Sequence, residues 1–212
     1  MFQIGEMGTK SETSKIPEHR EMKETVLTIL KESIDVKSIS IKNNADHIVK
    51  SADMLAECIT TGHKILIFGN GGSAADAQHI AAEFVNRFKI ERPPLAAIAL
   101  TCDTSIITSI GNDYDFDEIF SKQIKALGNK DDIAIGISTS GNSKNVIKAI
   151  NAAKKIGLLT IGMTGRGGKL ASCADLVLNV ESDVTARIQE THITMGHILC
   201  DLVDRVLFPE EF

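Results

Sequence analysis

The chain is predicted to be an α/β protein, a three-layer sandwich in which a parallel β-sheet is covered by helices on both faces. Three observations predict this. Five short apolar runs, at 65–68, 95–100, 133–137, 158–163 and 176–180, alternate with segments of helical periodicity, and runs that are apolar at nearly every position suit strands buried on both sides. Several of the runs lead into turns rich in Gly, Ser, Asn and Asp, at 69–73, 101–105, 111–113 and 138–143, which belong at the carboxyl edge where open parallel sheets bind ligands. The length, 212 residues, is enough for one such domain with appended helices and too short for a second full one.

Taken in order, residues 1–20 are polar and apolar-poor, so they are expected to be a mobile tail without a signal-peptide core. From 21 to 36, Met22, Val26, Ile29 and Leu30 recur at helical spacing, and from 41 to 60 so do Ile41, Ala45, Ile48, Ala52, Leu55 and Ile59. These predict two N-terminal amphipathic helices, the second ended by Gly62. Their apolar stripes need a sheet or a second subunit to cover them. Further helices are expected after the 65–68 strand, near 116–127, 142–156 and 185–207. Residues 21–212 then form a single domain.

Composition excludes several classes of function. With 43% hydrophobic residues, 24% charged residues and a formal net charge of −5, the chain resembles an ordinary globular protein. It has no apolar run of membrane-spanning length and no Lys/Arg block suited to nucleic acid, so a cytoplasmic protein with neither membrane nor nucleic acid as partner is expected. Cys58, Cys102, Cys173 and Cys200 are scattered with no C-x-x-C pair and are expected to be buried thiols.

The most informative stretch is 64–87. A strand enters Gly69-Asn70-Gly71-Gly72-Ser73, and an alanine-rich helix follows. Glycine lets backbone approach an anion, and the helix N-terminus favours negative charge. His79 and Glu83 are four apart and share a helix face, and Arg87 extends the row. The G-x-G-x-x-A within the turn lacks an acidic residue at the distance a dinucleotide site requires. A second turn, Ser138-Thr139-Ser140-Gly141-Asn142-Ser143, offers four hydroxyls ahead of a helix. It suits phosphate, or else simple N-capping. In the last helix, Gln189, Glu190, His192 and His197 lie among apolar residues, so a His/Glu pair joined by another His is a reasonable zinc site.

Taken together, Gly69–Ser73, Asp76 through His79, Glu83, Gly111-Asn112-Asp113, the 138–143 turn and Arg187-Ile188-Gln189-Glu190 through His197 resemble the SIS (sugar isomerase) family over roughly residues 21–208. The resemblance implies a flavodoxin-like, five-stranded parallel sheet and a homotetramer with active sites at subunit interfaces. The activity it implies is an aldose–ketose isomerase that converts sedoheptulose 7-phosphate to D-glycero-D-manno-heptose 7-phosphate through an enediol. By motif, Ser73, Ser138, Thr139, Ser140 and Ser143 would hold phosphate, and Asn70, Gly71, Gly72, Asn112 and Asp113 would line the sugar, with Arg87 and Gln189 also at the substrate. Zinc would be held by His79, Glu83, Gln189 and His197, with Glu83 and His197 as acid/base pair. Some members carry Asp where this chain has Ala186, so that position brings no role. Gln189 and His197 are eight residues apart, about 12 Å along a helix, which requires a distorted helix or a second subunit. The alternative within the resemblance is a non-catalytic SIS protein that binds a replication initiator. It lacks counterparts of Glu83 and His197, both of which this chain keeps.

Overall fold

The computed structural model describes residues 19–212. The expected tail therefore lies outside the described residues up to position 18, while His19 and Arg20 already belong to the first helix, α1 (His19–Thr60). Then follow β1 (Ile65–Gly69), α2 (Gly72–Val85), β2 (Ala97–Ala99), α3 (Thr104–Asp113), α4 (Ile119–Leu127), β3 (Ile133–Ser138), α5 (Lys144–Lys155), β4 (Leu159–Thr164), α6 (Lys169–Cys173), β5 (Leu176–Asn179) and α7 (Thr185–Leu207). The five strands pair in parallel in the order β2-β1-β3-β4-β5, the flavodoxin-like arrangement, whose order reverses between β1 and β3.

Alternation along the strands builds the two outer layers. Ile65 and Ile67 of β1 join Ile133, Ile135 and Ile137 of β3 in a core with α1, α2 and α7. Leu66 and Phe68 point the other way, into a core with Phe120, Val146 and Ile150 of α4 and α5, as period-two side chains must. Each fully buried Leu, Ile or Phe contributes roughly 1.5–3 kcal/mol, so both faces must be covered. β2 is only three residues long and sits at the sheet edge. Pro93 and Pro94 precede it, and Pro cannot donate to a ladder.

Three expectations need correction. The two N-terminal helices are one, 42 residues long and about 63 Å from end to end. The polar stretch between the expected helices does not break it, because Ser40 and Asn44 are buried and bond the end of the sheet. Glu181 N donates to Ser40 Oγ (3.0 Å), Asn179 N donates to Asn44 Oδ1 (3.1 Å), and Asn44 Nδ2 donates to Asn179 O (2.8 Å). Likewise, the expected turn at 101–105 runs into a helix, α3, and the one at 111–113 forms the end of that helix. Asp103 caps it by accepting from Ile106 N at 2.9 Å. Cys58 and Cys200 are buried as expected, but Cys102 is exposed. Among the described residues no helix is long and apolar enough to cross a membrane.

Candidate active site

β1 ends at the switch point, and Gly71 starts α2 with φ 57°, a left-handed conformation that favours glycine. From there α2 runs beside α7. His79 and Glu83 stand on the same α2 face with His79 Nε2 3.1 Å from Glu83 Oε1. His197 of α7 brings its Nε2 to 3.4 Å from His79 Nε2. One ligand-type atom from each of the three residues lies within 4.8 Å of the others. A tetrahedral ion with bonds of about 2.0–2.1 Å has ligand atoms about 3.3 Å apart. The observed 3.1 and 3.4 Å spacings and the N, N, O donor set therefore fit zinc or a similar divalent ion. Burial, and then the charge of His79, push the His197 imidazole below its ordinary range, so it is neutral at neutral pH. Phe88 stacks on it, with ring centroids 5.4 Å apart.

Gln189 sits against the start of α2, at Gly72, seven residues before His79. Its amide packs against Gly72, where a Cβ would collide with it, and this contact places it at the first turn of α2. The eight-residue spacing thus needs no distortion: α7 meets the start of α2 with Gln189 and its second half with His197. Arg87 leaves the His79/Glu83 row because α2 ends at Val85. It pairs instead with Glu91 at 3.4 Å, on the surface.

The glycine turn is joined directly to the start of α5. Asn70 and Asn145 exchange side-chain amide bonds, 2.9 Å each way. In the 138–143 turn, Ser143 is the N-cap of α5 but makes no capping bond. Its hydroxyl lies 2.9 Å from Ser138 Oγ, with Ser140 Oγ 3.5 Å from the same atom. Ser140 Oγ also accepts from Asn142 N at 3.1 Å, but Ser143 and Ser138 turn their hydroxyls toward each other, which suits an anion cradle better than a simple cap. Thr139 and Ser140 also border a cavity of about 410 Å³. Ser73 is buried at the head of α2. Asn112 and Asp113 lie at the exposed end of α3 and bond each other, Asn112 Nδ2 to Asp113 Oδ1 at 2.8 Å. The structure does not bring them to the cluster.

Two residues, Asn145 and Arg92, escaped the sequence reading, and a third, Asp76, was named in a motif without a role. Asn145 could have been suspected from its place just inside a helix start. Asp76 follows the glycine turn; its Oδ2 is buried without a hydrogen-bond partner, and burial raises its carboxyl to about 6. Arg92 is buried against Asp204, which no sequence pattern announces. Of the Arg187–Glu190 run, Arg187 and Glu190 pair with each other and hold α1, Arg187 donating to Ile29 O and Glu190 accepting from Ser33 Oγ.

A parallel sheet with a glycine turn and a hydroxyl turn at its switch point is the architecture of a sugar-phosphate-binding domain. The pattern that defines the SIS domain matches residues 30–165, and the chain belongs to that family. It is 61% identical to the phosphoheptose isomerase of Nitratidesulfovibrio vulgaris strain Hildenborough, over 78% of this chain and 80% of that one. It is 56% identical to that of Thermodesulfovibrio yellowstonii, over 89% of this chain and 94% of the relative. The solved phosphoheptose isomerase of Neisseria gonorrhoeae superposes with a TM-score of 0.82 at 48% identity, covering 86% of this chain and 98% of that one.

Proposed function

We propose that the chain is a sugar-phosphate isomerase that interconverts sedoheptulose 7-phosphate and D-glycero-D-manno-heptose 7-phosphate in the cytoplasm, supplying heptose to lipopolysaccharide or another surface glycan. The observation that carries this reading is the meeting of Glu83 with His79 and His197 on two helices that flank the switch point. Relatives named phosphoheptose isomerase, at 50–61% identity, support it. The binding-only alternative has no use for such a cluster.

In this reading the phosphate rests on Ser73, Ser138, Thr139, Ser140 and Ser143. The sugar extends past Asn70, Gly71, Gly72 and Gln189 toward the cluster. Moving a carbonyl between C2 and C1 takes a proton from one carbon and returns it to the next. Glu83 Oε1 faces His79, which leaves Oε2 to take the carbon proton. Neutral His197 accepts and returns the hydroxyl proton. His79, Glu83 and His197 are the residues that would hold zinc, which when bound supplies Lewis-acid stabilisation of charge on the sugar oxygens. A homotetramer is part of the proposal, and it would cover Met22, Val26, Leu27, Leu30 and Ile34, which are exposed on the first half of α1.

The test is to incubate the purified protein with sedoheptulose 7-phosphate and follow the aldose by NMR. Conversion that a chelator removes and zinc restores is expected. No conversion by zinc-loaded protein would sink the assigned reaction, and full activity in verified metal-free protein would sink the metal.

A further inference from the structure

Residues 86–94 of the loop that joins α2 to β2 wrap α7 alongside His197. Phe88 stacks on the His197 ring, Lys89 Nζ reaches Asp201 Oδ2 at 2.7 Å, and Arg92 enters the interior. The Arg92 and Asp204 side chains are each 1% exposed. Arg92 Nε donates to Asp204 Oδ1 at 2.8 Å. On the other edge of the guanidinium, Nη1 donates to Phe84 O and Nη2 to Glu83 O, both at 2.8 Å. These carbonyls belong to the last turn of α2, which ends at Val85, where backbone acceptors lack intrahelical partners. The helix has no glycine stop there. A buried guanidinium does the capping, and its planar fork can serve both sides at once. Asp204 follows His197 by seven residues, two turns along α7 and on the same face.

One side chain therefore fixes the end of the helix that carries Glu83 and pins it to the helix that carries His197. We propose that Arg92 is a positioning residue for the Glu83/His197 pair, setting the separation of the two groups through the last turn of α2 and through Asp204. It touches neither substrate nor metal. The assignment rests on the proposed roles of Glu83 and His197, while the geometry it invokes is independent of them.

The experiment compares Arg92→Met, Arg92→Lys and Asp204→Asn with wild type, each first shown to be folded by circular dichroism and sedimentation. Cobalt(II) titration of the metal-free proteins reads the cluster, and kcat and KM for sedoheptulose 7-phosphate read the reaction. Losing a group that orients ligands costs about 10–100-fold in metal affinity or activity. Arg92→Met is expected to lose that much in cobalt affinity and in kcat, with KM little changed, because the 138–143 turn hangs on β3 and receives no bond from Arg92. Arg92→Lys should fall between, since one ammonium cannot reach Asp204 and the carbonyls at the end of α2 together. If Arg92→Met does not fold, Asp204→Asn, which keeps shape but loses charge, carries the test with a smaller loss of the same kind. Wild-type kcat and cobalt affinity in a folded variant would overturn the proposal, as would a rise in KM at unchanged kcat. Should wild type bind cobalt but not isomerise this sugar, the functional reading fails and the cobalt comparison still decides the role of Arg92.

Discussion

Two parts of the molecule handle their apolar residues in opposite ways. Where α2 and α7 lie on the sheet, Ala77, Ile80, Ala81, Phe84, Met195 and Leu199 are all buried, while the polar His79, Glu83 and His197 are gathered at one point. Along the first half of α1, by contrast, Met22, Val26, Leu27, Leu30 and Ile34 are between 51% and 65% exposed, and α3 has no buried residue at all. The difference separates two tasks. One chain alone brings His79, Glu83 and His197 together. The apolar surface of α1 is left open by this fold, and in the proposed homotetramer a second copy would cover it.

The sharpest way to break this division is at Glu83. Glu83→Gln keeps shape and hydrogen bonding but removes the basic oxygen, and kcat should fall by about 10²–10⁴-fold, the usual worth of a general base. Residual turnover near wild type would move the base to His197. The same variant tests whether one chain supplies the whole cluster. Co-refolding Glu83→Gln with His197→Gln should restore no activity, because no hybrid subunit then holds both intact groups. Recovery toward a quarter or more of wild-type activity would mean that the working site takes His197 from a neighbour.

The opposite region is tested by Leu27→Glu with Leu30→Glu. Charges on a buried subunit contact are strongly unfavourable, so sedimentation should show dissociation to smaller species, with near-UV signals from the sheet cores preserved. An unchanged sedimentation coefficient would show that this face is not an interface. Between the two regions lies the 138–143 turn. Replacing Thr139 and Ser140 by Ala removes two donors to a charged acceptor, about 1–3 kcal/mol each, and KM should rise about tenfold or more. Unchanged KM would reduce the turn to a helix cap.

Much of this was legible in the sequence because the responsible signals are periodic or local. Five apolar runs gave five strands, and His79 and Glu83 met because four residues make one helical turn. What stayed hidden depends on polar groups satisfied across the fold. α1 was expected as two helices, at 21–36 and 41–60, because hydrophobic periodicity ignores a buried Ser40 that bonds a strand end. α3 was missed although Ile106, Ile107 and Ile110 follow an Asp cap, because glycine and Asn near its end suggested turns. Gln189 and His197 were expected to share one ion only through a distorted helix or a second subunit, and the continuous α7 instead meets α2 at Gly72 with Gln189 and near His79 with His197.

The smallest expected effect concerns Asp76, which sits between the glycine turn and His79. Its Oδ2 is buried without a partner, and burial raises its carboxyl to about 6, against a smaller lowering by His79. A raised acid favours the protonated folded state. Its contribution to stability is thus fully present below the unfolded value near 4 and is lost as pH rises through about 6. His192 works in the opposite sense, since burial lowers its imidazole to about 4 and stability is lost as pH falls from about 6.5 toward that value. The two slopes overlap, so only the difference between wild type and Asp76→Asn isolates the carboxyl. Two pH units would correspond to about 3 kcal/mol, but the side chain is only half buried and water screens it, so about 1 kcal/mol is the reasonable figure. In urea melts Asp76→Asn should be more stable than wild type by that amount at pH 7.5 and by almost nothing at pH 4. An equal difference at both pH values would trace the effect to packing, and a variant less stable at pH 7.5 would mean that the working protein gives this carboxylate a partner, from a neighbouring subunit or a bound ligand.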